Sequence, residues 1–183
     1  SGVILSGMRA PRKNERVMQG DSRVAALLGQ MGLLVRNLKD GLFLRSPSHA
    51  ELLPLDIDCT DIPDVAPILA LTCTQACGVS TLGGVNRLRV KECDRLSATE
   101  ALLTKLGEQV EIGADDDTLV IHGPTALHGG FEADARGDHR MVMLLATAAL
   151  LCAEPITVHG VDALNKSWPG FLDTYQKLGG QIS

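Results

Sequence analysis

Residues 94–123 read DRLSATEALLTKLGEQVEIGADDDTLVIHG. Leu96, Thr99, Leu103 and Leu106 recur at three- and four-residue spacing, the stripe of an amphipathic helix. Gly107 follows, where a helix C-terminus favours a left-handed residue. VEI and TLVIHG then read as two short strands joined by the turn Gly113–Asp117. The same grammar occurs in DSRVAALLGQMGLLVRNLKDGLFLRS from Asp21, with its turn at Asn37–Gly41, and begins again in PGFLDTYQKLGGQIS from Pro169. The helix-ending glycines Gly32, Gly107 and Gly179 lie 75 and then 72 positions apart.

A second element repeats in phase. DCTDIPDVAPILALTCTQACGVSTLGGV from Asp58 and DARGDHRMVMLLATAALLCAEPITVHGV from Asp134 each run from acidic residues through a helix apolar nearly all round to a β-branched strand. Asp61 and Asp138, 77 apart, read as equivalents. A helix apolar on every side must be enclosed, so the pattern predicts an α/β fold of repeated βαβαββ-type units, with buried apolar helices covered by sheets. The third copy is incomplete at Ser183, and its completing segment is expected from elsewhere in a longer polypeptide. Residues 1–20 are expected to be a tag remnant and a linker or tail of a preceding half, because Ser1-Gly2 lacks a starting Met. Residues 21–183 are expected to be one domain of two repeats plus part of a third.

Composition narrows the function. The net charge is -5 and aromatic residues make up 3%, against the basic face and stacking rings of nucleic-acid binders. An acidic chain still holds anions if its cations gather locally. Cys59, Cys73, Cys77, Cys93 and Cys152 form an odd set without CxxC spacing and read as reduced, buried thiols of a cytoplasmic protein. No signal peptide is recognised at the N-terminus, and no apolar run reaches the ~18 residues of a membrane span. His122, His128 and His159 lack ligand spacing, Asp115–Asp117 is too short for a calcium loop, and no phosphate-binding glycine motif occurs.

Four charged spots precede helices: Asp61 in TDIPD, Lys91–Arg95 in KECDR, Asp138–Arg140 in DHR and Lys166 in NKSWP. The repeats allow these helix starts to converge, and helix N-termini favour anions. Each spot also reads as ordinary helix punctuation. Asp61 or Asp64 can cap the helix that Pro63 begins, Asp94 and Asp138 can cap theirs, and Lys91 and Arg95 can be solvated charges. Arg140 and, when protonated, His139 would put cations in a first turn, where the dipole disfavours them, which invites a functional reason.

MQGD (18–21), TDIPD (60–64), RVKECDRL (89–96), DHRMVM (138–143) and NKSWPGF (165–171) resemble, in order, the motifs of the 5-enolpyruvylshikimate-3-phosphate synthase family. The resemblance implies one globular domain of a two-domain enolpyruvyl transferase fold. It also implies transfer of the enolpyruvyl group of phosphoenolpyruvate to the 5-hydroxyl of shikimate 3-phosphate, with release of phosphate and no metal or other cofactor. Asp61 would bind shikimate hydroxyls and share in proton transfer, Lys91 would contact the 5-hydroxyl, and Glu92 would be the acid–base residue at the methylene. Arg95, Arg140 and Lys166 would hold phosphoenolpyruvate, with His139 beside it. Cys93 stands where Ser or Thr is usual, with little effect expected. The family's Lys-Ser pair, NAGT-like segment and phosphate-gripping residues are missing, so the chain alone is expected to be inactive and to need the N-terminal half of the enzyme. Two other readings compete: a UDP-N-acetylglucosamine enolpyruvyl transferase domain, and a non-catalytic binding domain of the same fold.

Overall fold

The computed structural model describes residues 2–11, 23–46 and 52–183. The MQGD motif, residues 18–21, lies outside them. The chain divides into two compact units, residues 1–86 with 110–124 and residues 87–109 with 125–183. The α/β class and the enclosed apolar helices follow the sequence expectation.

The first unit holds two sheets. In the first, β1 (Val3–Ser6), β2 (Leu34–Asn37) and β3 (Gly41–Arg45) pair antiparallel in the order β1-β3-β2, with α1 (Val24–Gln30) packed against β2. Within the stretch 1–20, residues 3–6 thus form a paired strand. The β-branched Val3 and Ile4 suit a strand, and the registers Val3↔Leu44 and Ser6↔Gly41 fix it. Asn37 anchors the following segment, its Oδ1 accepting from the Ala10 N–H at 2.7 Å and its Nδ2 donating to the Ala10 carbonyl at 3.0 Å.

The second sheet is the complete unit. β4 (Asp56–Asp58) runs parallel to β5 (Gly78–Gly83), and β7 (Thr118–Gly123) and β6 (Val110–Ile112) extend it antiparallel, in the order β4-β5-β7-β6. Between β4 and β5 runs α2 (Ala66–Cys73), with Ala66, Pro67, Leu69, Ala70, Leu71 and Cys73 buried. Its one hydroxyl is satisfied within the helix, where Thr72 Oγ1 donates to the Ile68 carbonyl at 2.8 Å.

The second unit carries α3 (Arg95–Lys105), β8 (Phe131–Asp134), α4 (His139–Ala149), β9 (Ile156–His159) and α5 (Phe171–Lys177). β8 and β9 form a parallel pair. The predicted stripe of α3 is the buried one, with Leu96, Thr99, Leu103 and Leu106 each 0% exposed. Lys105 Nζ donates to the Glu132 carbonyl at 3.0 Å and lies 5.1 Å from the Phe131 ring centroid, which ties the end of α3 to β8.

The copies share loop geometry as well as element order. Asp58 Oδ1 accepts from Thr60 N at 2.8 Å, and Asp134 Oδ1 accepts from Arg136 N at 2.7 Å. Cys59 N donates to Gly83 O at 2.8 Å and Ala135 N to His159 O at 3.0 Å; Ile62 N donates to Cys59 O at 2.9 Å and Asp138 N to Ala135 O at 3.0 Å. After β1, β5 and β9 stand Gly7, Gly84 and Gly160, with φ of 74°, 68° and 79°, a region that favours glycine. At Gly84 a side chain would also strike Thr60 and Asp58.

These matched bonds correct the sequence phase by one residue. Asp58 is the equivalent of Asp134, so Ile62 matches Asp138, Asp61 matches Gly137 and Asp64 matches Arg140.

Candidate functional site

The second unit gathers most of the residues expected to act. Arg95 opens α3 and Asp138 is the residue before α4. Arg95 Nε donates to Asp138 Oδ2 at 2.7 Å and Nη2 donates to Oδ1 at 3.2 Å. Both residues are buried, at 1% and 0% exposure, so a desolvated two-pronged ion pair joins the two helix starts. Arg95 Nη2 also donates to Glu92 Oε2 at 2.5 Å, holding the exposed Glu92 against the same guanidinium.

Asp138 additionally caps α4, accepting from the Arg140 N–H at 2.9 Å. Burial raises its carboxyl pKa, but the Arg95 hydrogen bond, the Arg140 N–H and the Arg95 charge outweigh this and hold it below the usual value. The Cys93 thiol donates to Asp138 Oδ2 at 3.6 Å. Burial, then the Asp138 charge and that hydrogen bond, push this thiol up to about 11.

Asp94 caps α3 as expected. It accepts from the Ser97 N–H at 3.0 Å, and Arg89 Nη1 donates to both Asp94 Oδ2 at 2.8 Å and Ser97 Oγ at 2.9 Å. The crowded charges of RVKECDRL thus separate into two systems: Arg89–Asp94–Ser97 closes the helix, and Glu92–Arg95–Asp138 faces α4.

Lys166, exposed at the end of the 3-10 turn Val161–Lys166, donates to the Gly137 carbonyl at 3.4 Å. It thereby reaches the loop that delivers Asp138. His139 and Arg140 are half-buried in the first turn of α4, and Lys91 is half-buried ahead of Glu92. Glu92, Arg95, Asp138, Arg140 and Lys166 are therefore linked through one helix start, with cations and one exposed carboxylate together. Such a site can take an anion and offer a proton carrier to it.

Arg95 is already engaged in the described structure: its Nε and Nη2 serve the buried Asp138, and Nη2 also serves the exposed Glu92. The sequence could not show this, because Asp138 lies 43 positions away and reads there only as a cap.

Asp61 belongs to the first unit, exposed in the turn before the 3-10 segment Pro63–Val65. Neither Asp61 nor Asp64 caps there: the N-cap residues are Ile62 and, for α2, Val65, neither with a side-chain cap bond. Asp64 is half-buried in the first turn, at the position Arg140 holds in the other copy. It is the residue that sequence reasoning passed over as a site candidate. The signal that finds it is the pair of aspartates Asp58 and Asp134, each accepting from the N–H two residues on.

The first unit also holds a groove of about 610 Å³ at the end of its three-stranded sheet, lined by Gly7–Arg9 and the turn from Asn37 to Gly41. None of the residues expected to act lines it.

Comparison with known proteins gives a consistent picture. The sequence profile of EPSP synthase (3-phosphoshikimate 1-carboxyvinyltransferase) matches residues 12–175. The 3-phosphoshikimate 1-carboxyvinyltransferase of Clostridium botulinum strain Eklund 17B is 36% identical over 169 residues, covering 92% of this chain and 38% of that protein. The protein of that name from Aeropyrum pernix is 39% identical over 164 residues, covering 90% and 37%. Among solved structures, EPSP synthase from Acinetobacter baumannii aligns with a TM-score of 0.79 at 24% identity, covering 100% of this chain and 42% of that one. The enolpyruvyl transferase NikO from Streptomyces tendae aligns with a TM-score of 0.74 at 24% identity, covering 89% and 36%. At such identity the structural likeness speaks for the fold. The chain spans about two fifths of the length of these relatives.

Proposed function

The chain belongs to the EPSP synthase family, and from that premise we infer that it is one portion of an enzyme transferring the enolpyruvyl group of phosphoenolpyruvate to the 5-hydroxyl of shikimate 3-phosphate. The observation that carries this reading is the Glu92–Arg95–Asp138 cluster at the start of α4, with Arg140 in that turn and Lys166 bonded to Gly137. Both substrates are polyanions, so they require gathered cations. The chemistry also needs a group to protonate the methylene and one to take the hydroxyl proton, which calls for carboxylates among those cations.

In this reading Glu92 is the acid–base residue at the methylene and Lys91 contacts the 5-hydroxyl. Arg95, Arg140 and Lys166 hold phosphoenolpyruvate with His139 alongside, and Asp61 binds the acceptor hydroxyls and shares in proton transfer. Asp64, in the matched helix start, is a second candidate for that last role. Arg95 is buried while Glu92 is exposed, which suggests how both act. The anionic donor displaces Glu92 from Arg95 Nη2, taking its place on the guanidinium and freeing the carboxylate for proton transfer. Asp138 stays in place and keeps Arg95 charged and oriented.

The remaining substrate groups are supplied by the rest of a longer cytoplasmic polypeptide, and this chain alone turns over neither substrate. Calorimetry with shikimate 3-phosphate and phosphoenolpyruvate tests this, on the 183-residue chain and on the full-length enzyme. The reading expects, at most, weak heats without turnover from the chain and tight binding with turnover from the enzyme. Steady release of phosphate by the chain alone refutes the division of labour. Full activity of a Glu92→Gln enzyme refutes the role of Glu92.

A further inference from the structure

We propose that Arg89 is a positioning residue: through Asp94 and Ser97 it clasps the arch that carries Lys91 and Glu92, and so sets where the acid–base carboxylate stands. The proposal deepens the reading of Lys91 and Glu92 given above and rests on it.

The arch has no backbone framework of its own. The 3-10 segment Asn86–Val90 ends just before it and α3 starts just after Asp94, so residues 91–93 belong to neither. Leu88 on one side and Leu96 on the other are buried and root both ends in the interior, while Val90 between them is 84% exposed. A span of this kind takes its shape from side chains, and those come in two sets. On one flank Glu92 and Cys93 reach Arg95 and Asp138. On the other, Arg89 Nη1 crosses the base of the arch to Asp94 Oδ2 at 2.8 Å and Ser97 Oγ at 2.9 Å. Ser97 Oγ itself donates to Asp94 Oδ2 at 2.9 Å, which closes a triangle.

Capping does not need this arginine. The cap is the Ser97 N–H on Asp94 Oδ1, complete without Oδ2. Stability asks little of it either. The side chains of Arg89 and Asp94 are 29% and 37% exposed, and ion pairs so open to water add little to folding. What the contact fixes is distance. Residues 89 and 94 are held together, so Lys91 and Glu92 cannot swing outward without breaking both bonds of one nitrogen. Catalysis is sensitive to such movement, since a misplacement of about 1 Å can cost about 100-fold in rate.

The start of α4 offers a parallel. Asp138 caps that helix with Oδ1 and gives its second oxygen to an arginine, Arg95. There the residues expected to act, His139 and Arg140, follow the cap and are held by the helix itself. Lys91 and Glu92 precede their cap, outside the helix, and need the clasp in its place.

The test places Asp94→Asn and Arg89→Gln in the full-length polypeptide that the gene encodes. An asparagine keeps Oδ1 for the Ser97 N–H, and so keeps the cap, but turns an amide donor toward Arg89 where Oδ2 accepted. Each variant should lower kcat at least about 10-fold while KM for both substrates stays within about threefold. Calorimetry with shikimate 3-phosphate should return the native stoichiometry, whereas a merely structural defect lowers stoichiometry together with kcat. A second readout is independent of turnover. Cys93 lies inside the arch, so its labelling by a thiol-directed disulfide at pH 8, read by peptide mass, should quicken at least about fivefold in both variants. The exposed Cys77 should keep its native rate as the internal control. Native kcat or native Cys93 labelling in either variant overturns the proposal, and so does a fall in kcat matched by an equal fall in stoichiometry. If the native polypeptide turns over neither substrate, the proposed reaction fails, and the thiol rates alone then decide whether the clasp holds the arch.

Discussion

Replacing Asp138 with alanine removes one carboxylate that accepts from Arg95 Nε at 2.7 Å, Arg95 Nη2 at 3.2 Å and the Arg140 N–H at 2.9 Å. The guanidinium left behind is 1% exposed, so water cannot replace what is lost. Breaking a buried ion pair by deleting one partner costs about 3–5 kcal/mol. Losing a helix cap costs about 1 kcal/mol. The two overlap because they share a carboxylate, which puts the expected loss near ~4 kcal/mol, a large part of the ~5–15 kcal/mol that holds a domain folded. Arg95→Met should cost about 3 kcal/mol by exposing Asp138 to the same imbalance. The double variant Arg95→Met/Asp138→Ala should cost well under the sum of the singles, with a coupling of about 2–3 kcal/mol. Urea unfolding by far-UV circular dichroism measures the three values. Amide exchange in α3 and α4 should accompany it, because two compact units need not unfold in one step. A loss below about 1 kcal/mol for Asp138→Ala, or singles that add to within about 0.5 kcal/mol, refutes the pair as the link between α3 and α4.

The same carboxyl sets a pH signature. Its folded pKa lies below the unfolded value of about 3.9, so its contribution is present above pH ~4 and lost as pH falls through the folded value. The stability gap between the native chain and Asp138→Ala should therefore hold steady from about pH 6 to about pH 5 and shrink as pH falls below ~4, as read from urea midpoints, whereas a gap that stays constant at low pH contradicts the assignment. Thr99 Oγ1 is buried with no hydrogen-bond partner among the described residues, so Thr99→Val should stabilise the chain by about 1 kcal/mol in the same urea assay, and destabilisation would reveal a hidden partner. With its thiol pushed up to about 11, Cys93 should lag well behind the exposed Cys77 in labelling by a thiol-directed disulfide at pH 8. Asp138→Ala should speed the reaction at Cys93, and equal native rates for the two cysteines rule the environment out.

The repeat was legible because helix periodicity and the glycines behind it are local signals. Leu96, Thr99, Leu103 and Leu106 point inward as the spacing of α3 demands. Asp94 and Asp138 read correctly as caps for the same reason, since a cap bonds within three residues. The Arg95–Asp138 pair was hidden because it joins positions 43 apart and depends on burial, which a local reading cannot assign to a charge. β1 was hidden because four residues beside a basic segment carry too little pattern, and its strand character comes from pairing with β3. Phase was lost by one residue at Asp61, where a matching letter outweighed a matching turn. The hydrogen bonds of Asp58 and Asp134 restore it.

Ile62 and Asp138 occupy the same seat in two copies of one loop, 1% and 0% exposed. The aspartate that ends the paired strand, the carbonyl bonds around it and the left-handed glycine behind it shape the backbone without consulting the occupant of that seat. Folding instructions and chemistry are thereby written on different letters. A duplicated segment of this kind can carry hydrocarbon in one copy and a charged pair in another, and selection can rewrite the second while the first keeps its core intact. Ile62→Asp in the first unit would import the carboxylate without the arginine that accompanies it, and its cost would measure how much of the second unit's site had to arrive together.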